Sequence, residues 1–412
     1  MTQQTQQPAN PQAQQFQCPQ CGGAMVYDAG LGGMKCKYCK HQMAVPAQPG
    51  ASGPREIPLA EGYQRAPRGL GVATIKFQCK ECGASVNTAP NERTASCTYC
   101  ASHSVIEVPP DPNLIQPENL VPFRVAREVA VTSFKSWLAD LWFRPSKLKT
   151  MAELEQVFGV YVPYWTFDSQ VFSRWHAERG WYYYVTETYQ DNENGEWVTK
   201  TREVRHTRWE PASGQRQDFF DDVLVCASKG LPEKLADSLT SFDTKQLVPY
   251  APGYLAGWRA ESYAVDLPVA WTKAQSTIQS TQQSRCHSDV GGDEVRGLQV
   301  QNQYSGETFK HVLLPVYVAA YRFDGKPYRF LVNGQTGEVQ GEAPYSWVKI
   351  TLLVLAILAV IGVIAAIVIS RQEDSALRHL PTSSVFASNT QSSRESMMAL
   401  RLGGDSVRLS RG

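Results

Sequence analysis

The signatures of several common enzyme classes are missing from this chain of 412 residues. It has no GxxxxGK[ST] loop to cradle a nucleotide phosphate, no HExxH helix and no GxSxG nucleophile elbow. These absences argue against phosphate-loop hydrolases, zinc proteases of that type and serine hydrolases. An excess of one charge is missing too: 40 Lys and Arg stand against 39 Asp and Glu, a formal net charge of +1. Whole-chain attraction to nucleic acid or to acidic partners therefore has no basis. The segment MTQQTQQPANPQAQQ has neither a basic run nor an apolar run. No secretory signal is expected there, and its Gln and Pro content reads as a disordered leader over 1–15. No N-x-[ST] acceptor occurs, which agrees with a cytosolic body.

What is present is cysteine in a strict pattern. Eight of the ten cysteines fall in two units, Cys18, Cys21, Cys36, Cys39 and Cys79, Cys82, Cys97, Cys100. Both read C-x2-C-x14-C-x2-C, displaced by 61 positions, with FQC opening and YC closing each unit. This is an internal duplication. Two CxxC turns brought opposite each other by a hairpin place four thiolates at the corners of a tetrahedron, which suits Zn²⁺. Four thiolates leave no position for water, so the chemistry is structural rather than catalytic. Disulfides and a rubredoxin-like iron site are the alternatives; the missing export signal argues against the first, and affinity alone does not exclude the second. Each unit spans about thirty residues, too few for a core of its own. Metal binding on the order of 10–16 kcal/mol would supply the stability. The units, 16–46 and 76–109, resemble zinc ribbons of transcription-factor-IIB type and rubredoxin-like knuckles.

Residues 1–110 hold nine Lys/Arg and six Asp/Glu. Two four-thiolate zinc centres of charge −2 each bring that region near −1, a poor footprint for phosphate. Only Lys35, Lys37 and Lys40, with His41, cluster, and they are the candidate contacts for nucleic acid or a partner; a solvated loop is the plainer reading.

A Pro/Gly-rich linker covers 47–75, and an α+β body covers 120–345. Two amphipathic helices are expected at its start. Ala130, Phe134, Trp137, Leu138 and Leu141 mark the first, and Leu148, Met151, Leu154, Val157 and Phe158 the second. Aromatic strand text follows over 158–209, and QDFFDDVLVCAS reads as another strand. Its aromatics would fill a sheet core or, alternatively, form a stacking platform. LPEKLADSLTSF reads as a short helix, and a polar helix is expected from Asp266 to Arg285. Three antiparallel strands close the body as a meander. Asp218, Asp221 and Asp222 could bind a cation or sit solvated. Cys286 and His287 could form a nucleophile pair, although sequence neighbours rarely face each other. Cys226 reads as core.

Residues 350–369, ITLLVLAILAVIGVIAAIVI, hold one Thr, one Gly and no charge, and would span roughly 30 Å as a helix, the thickness of a bilayer core. A transmembrane helix is expected over 349–370, followed by a disordered tail over 371–412. Arg371 and Arg378 mildly favour an inside tail. A zinc-holding body in the cytosol outweighs them, so the expected topology is N-in and C-out.

The order of ribbon, VYVPYWTFD strand and NGQTGEVQGEAPYS before an apolar helix resembles bacterial membrane proteins with N-terminal zinc ribbons. Those occur beside SPFH (flotillin-like) and phage-shock-protein-A-type proteins. They are often labelled as primosomal replication-restart helicases, a label that this chain, without a phosphate loop, does not carry over. Rigid, metal-stapled modules on a chain with a membrane anchor lead us to expect a non-catalytic, single-pass adaptor of the bacterial inner membrane that holds two structural Zn²⁺ ions and recruits protein partners; the resemblance suggests SPFH or phage-shock-protein-A-like ones among them. A membrane-tethered nucleic-acid regulator and an enzyme in the aromatic body are the other readings.

Overall fold

A computed structural model describes residues 16–47, 56–62, 70, 74–89, 92, 94, 96–109, 111, 114–141, 143–144, 157–193, 195–239, 241–323 and 326–377. The leader, most of the linker, the bulk of the expected second helix and the tail beyond 377 lie outside the described residues. The chain divides into two units, Met1–Ser346 and Trp347–Gly412.

Unit one is α+β. Its strands are β1 (Met25–Asp28), β2 (Gly33–Cys36), β3 (Gln42–Met43), β4 (Ile57–Pro58), β5 (Ile75–Cys79), β6 (Ser85–Thr88), β7 (Val105–Val108) and β8 (Asn119–Leu120). They continue with β9 (Phe158–Glu193), β10 (Glu196–Cys226), β11 (Val248–Pro249), β12 (Arg259–Glu261), β13 (Glu294–Phe323), β14 (Lys326–Asn333) and β15 (Val339–Gly341). The helices are α1 (Arg127–Asp140), α2 (Glu233–Ser238) and α3 (Leu267–Val290). Strands β1 to β3 form their own small sheet, and the others join a sheet of twelve strands.

Strands β9 and β13 are its spine. They pair antiparallel from Phe158↔Val318 to Gly180↔Glu294. Both are apolar on successive residues where they cross the core (VYVPYW and VLLPVYVAA), because both faces are covered there. Val160, Val162, Val312, Leu314 and Val316 face one side, with Leu235 and Ala236 of α2. Tyr161, Leu313 and Tyr317 face the other, with Ala130, Phe134 and Leu138 of α1. Phe134 stacks on Phe330 at 3.5 Å between ring centroids, which fixes α1 on the meander strand β14. The meander itself appears as expected, β13 with β14 and β14 with β15.

The strand text was expected to break into pieces, but β9 and β10 run unbroken for 36 and 31 residues. At about 3.3 Å per residue each extends on the order of 100 Å. QDFFDDVLVCAS is therefore the end of β10 and not a further strand. Pro211 and Gly214 look like breakers in sequence. Among the described residues β10 pairs only with β9, so Pro211 interrupts no second ladder there. Phe158 belongs to β9 rather than to a helix. Register is adjusted by bulges, at Phe220/Val223 in β10 and at Arg296/Gln299 and Ser305/Thr308 in β13. Gly297 and Gly306 occupy the two β13 bulges with φ of 65°, the left-handed region such bulges use.

The polar helix forms as α3. Its inward seam is Ala270, Ala274, Ile278, Gln282, Cys286 and Val290, spaced by four. These small residues let it lie along the odd-numbered face of β9, over Phe167, Trp175 and Ala177. Unit two contains α4 (Trp347–Leu377). Its stretch Trp347–Ile367 is long and apolar enough to cross a membrane, and none of its most apolar window is buried.

Candidate metal centres

In each cysteine unit the four sulfurs lie within 4.8 Å of one another. Cys18 and Cys39 are 3.5 Å apart, Cys21 and Cys36 3.6 Å. Cys79 and Cys100, and Cys82 and Cys97, are both 3.6 Å apart. These separations exclude disulfides, and all ten cysteines are free. A tetrahedron with metal–sulfur bonds of about 2.3 Å has edges of about 3.8 Å, close to what is present.

The backbone explains the arrangement. Each first CxxC closes on itself: Gly22 N–H donates to Cys18 O at 2.8 Å, and Gly83 N–H to Cys79 O at 3.0 Å. Gly22 and Gly83 have φ of 71° and 75°. Each second knuckle repeats the same turn at Lys40 (φ 66°) and Ala101 (φ 53°), where a side chain makes the turn costlier. The duplication seen in sequence is thus a duplication of conformation.

Four thiols this close cannot ionise independently. Burial opposes ionisation of Cys36, yet the N–H groups of Cys39 and Tyr38 and the Cys21 thiol hold it down to about 6. The Cys82 thiol holds Cys97 down to about 5 against burial. Cys82 is pushed far up by its bond to Cys97 and by burial. Cys39 rises to about 12 despite the His41 N–H, through burial and three thiol neighbours. A divalent cation at the centre resolves this conflict by stabilising all four thiolates at once. Both clusters therefore fit tandem zinc ribbons.

The two centres are seated differently. Ribbon 2 shares the body's sheet: Val86 and Asn87 of β6 pair with Glu261 and Ala260 of β12, and β12 pairs parallel with β9. Cys79, Cys97 and Cys100 sit in the same apolar cluster as Val160 and Leu314. Tyr99, between Cys97 and Cys100, is wholly buried and donates to Glu261 Oε2 at 2.6 Å. Ser228 donates to Glu261 Oε1 at 2.8 Å. Burial raises the Glu261 carboxyl to about 7 against these two bonds. Arg259 donates to Glu92 at 2.7 Å and to Thr98 Oγ1 at 2.7 Å. Segments 76–109 and 120–345, apart in sequence, thus share one sheet and one core.

Ribbon 1 keeps its own sheet and docks through Tyr27. The Tyr27 hydroxyl donates to Phe123 O at 3.0 Å, and Trp258 Nε1 donates to Tyr27 O at 2.9 Å. Cys21 and Cys39 remain exposed. A cavity of about 370 Å³ separates this ribbon from Glu92, lined among others by Asp28, Lys37, Arg127 and Arg259.

The other sequence candidates scatter. Lys35 pairs with Asp28 at 3.3 Å, Lys40 donates to Lys37 O at 2.9 Å, and Lys37 lines the cavity. Asp218 is held by Arg216 at 2.6 Å and Arg285 at 3.0 Å, away from Asp221 and Asp222. Asp221 and Asp222 instead meet Asp168. Lys310, almost fully buried, fills that cluster, 2.8 Å from Asp222 and 3.5 Å from Asp168. Asp168 and Lys310 were missed in sequence; a lysine inside the apolar run FKHVLLPV was the available signal. Cys286 faces inward from α3 against Trp175 and Ala177, while His287 lines a separate surface cavity. Cys226 is half-buried, with burial pushing its thiol up to about 12. Of the aromatics, Trp165 and Trp175 are core, whereas Trp181, Tyr183, Tyr184 and Trp197 are exposed.

Fold and centres together define a protein with two four-cysteine ribbons, an α+β body and, among the described residues, one apolar helix long enough to cross a bilayer. The chain is 25% identical over 340 residues to the uncharacterized protein YdjG of Bacillus subtilis (strain 168), covering 81% of this chain and 91% of that one. No family model matches the chain, and no solved structure matches it.

Proposed function

We propose that this protein is a non-catalytic adaptor of the bacterial inner membrane, holding two structural Zn²⁺ ions and recruiting protein partners to the bilayer. Partners of SPFH or phage-shock-protein-A type are the ones the sequence resemblance suggests. The observation that carries the reading is the joining of closed four-thiolate centres to a rigid sheet, in a chain that also has an apolar span. Closed centres offer no position for a substrate, whereas rigid knuckle loops offer surfaces for recognition. The similarity to a Bacillus subtilis protein over most of both chains supports the bacterial setting. Thiolate ligands support a cytosolic body, hence N-in and C-out.

The nucleic-acid reading gains less. Lys35 is paired with Asp28, and Lys40 bonds backbone. The test is a crosslinked pull-down of the full-length protein from gently solubilised membranes, beside the Cys18→Ser variant. Metal analysis of the same samples should give two zinc ions per wild-type chain and one in the variant. Recovered membrane proteins that vanish with Cys18→Ser support the adaptor role of ribbon 1. Identical recovery with and without its metal removes that role. Recovery of nuclease-sensitive material replaces it with the nucleic-acid reading.

A further inference from the structure

The chain leaves unit one at a point that is held from far away in sequence. Ser346 is the last residue of unit one, and the apolar stretch begins at Trp347. Ser346 N–H donates to Phe143 O at 2.7 Å. The Arg144 guanidinium donates to Ala343 O, 199 residues away, and lies 3.9 Å from the centre of the Tyr345 ring. The turn at 143–144 is thus strapped to the exit by two hydrogen bonds and a cation–π contact.

Both ends of the strap are fixed in the body. Leu141 and Ala343 pack against the apolar cluster that holds Phe134, Tyr317 and Phe330. Trp137 of α1 lies so close to Gly341 that a Cβ there would be 2.7 Å from its ring. The two segments then alternate in the same way. Leu141 and Ala343 pack inward, and two positions on, Phe143 and Tyr345 are 41% and 64% exposed.

Distance decides what these two outward rings meet. Consecutive Cα atoms are about 3.8 Å apart, so Ser346 lies about 4 Å and Tyr345 within about 8 Å of the first residue of the apolar stretch. The interfacial layer on each side of a bilayer core is about 5–7 Å deep. With α4 across a bilayer, the exit and the Phe143 carbonyl bonded to it fall in that layer. Aromatic rings with a cation beside them suit it, because the rings meet the acyl boundary while the cation stays level with lipid phosphates. A protein partner would have to displace headgroups that chain connectivity already places there.

We propose that Phe143, Arg144 and Tyr345 form a second membrane contact of this chain, a foot that seats unit one on the lipid headgroups where the chain enters the bilayer. The proposal rests on the reading of α4 as a membrane span and deepens it. A span behind a free linker would let the body swing. A foot strapped to the exit holds the body against the bilayer in one attitude.

The test uses full-length, zinc-loaded protein in vesicles of phosphatidylcholine and phosphatidylglycerol. Photoreactive benzoylphenylalanine replaces Phe143, Phe219 on β10 or Leu358 in α4, one at a time. Lipid adducts, read by mass, should form at position 143 at least about fivefold more than at position 219, although Phe219 is the more exposed ring at 59%. Position 358 should give adducts freely. Arg144→Ala, which loosens the strap, should lower the yield at 143 several-fold and leave that at 358 unchanged, with both zinc ions retained. Capture at 358 with no excess at 143 over 219 overturns the foot and leaves the span standing. No capture at 358 overturns the span, and the foot with it. Adducts of position 143 with protein in place of lipid, or a yield there that Arg144→Ala does not change, also overturn the proposal.

Discussion

Loss of metal from ribbon 2 should unfold part of the body, whereas loss from ribbon 1 should stay local. Take Cys97→Ser, which removes one ligand and loosens the knuckle that carries Tyr99. A buried aromatic of 150–250 Å² is worth about 4–6 kcal/mol at about 25 cal/mol per Å². Glu261 loses its shorter donor, at 2.6 Å, and leaving a buried acceptor unmet costs about 1–3 kcal/mol. The sum, about 5–9 kcal/mol, is comparable to the whole stability of a typical domain, about 5–15 kcal/mol. At about 2 °C per kcal/mol for a large unit, Tm should fall by roughly 10–20 °C. Hydrogen exchange locates the effect. In Cys97→Ser, amides of Ile75–Cys79 and Arg259–Glu261 should lose protection together, because β6 joins them. In Cys39→Ser, loss should be confined to Met25–Met43 and the Trp258 loop that Tyr27 holds. Unchanged protection at Arg259–Glu261 in Cys97→Ser, with Tm within about 2 °C of wild type, would refute the claim that this centre is part of the body's core.

Three further outcomes are expected. Burial holds the His311 imidazole down to about 4, from 6.5, with Nδ1 against Ile115 O at 2.9 Å. The unfolded chain thus binds that proton first, so stability is full above pH 6.5 and falls by up to about 3 kcal/mol as pH drops toward 4; in metal-saturated urea titrations His311→Gln should flatten this slope. Lys310→Met leaves Asp168 and Asp222 facing each other without their cation. It should cost about 3–5 kcal/mol by thermal melting, partly recovered when Asp168→Asn is added. In Gly230→Ala the new methyl would lie 2.7 Å from the Tyr99 ring. It should cost about 1–3 kcal/mol and speed metal loss from ribbon 2 to a chelator, with ribbon 1 unchanged.

The cysteine spacing made both centres legible, because chemistry fixes ligand type and turn geometry within a few residues. The closing meander was equally legible from DGK and NGQTG between alternating strands. What the ribbons rest on was not. Tyr38 and Tyr99 occupy the same place in CKYC and CTYC, yet Tyr38 is 74% exposed and Tyr99 is fully buried. The difference is set by Glu261, 162 residues away, which no local pattern announces. The length of β9 and β10 was hidden for a related reason. Edge position, a tertiary property, makes Pro211 tolerable, and bulges absorb what reads as interruption. The seam of α3 escaped notice because a row that includes three Ala and Cys residues and one Gln does not stand out as apolar, although its spacing of four is regular.

The unequal seating of the centres gives the two metals different clocks. A ligand sulfur leaves its metal when a competitor, an oxidant or a chelator reaches it. At ribbon 1 Cys21 and Cys39 are open to solvent, whereas at ribbon 2 three of four sulfurs are buried beneath the sheet's own side chains. One ion is thus exchangeable on the timescale of encounters with small reagents, and the other only as fast as the body opens. Oxidants should strip the peripheral ribbon first and leave the frame standing, so a single chain can lose one centre and keep its body folded.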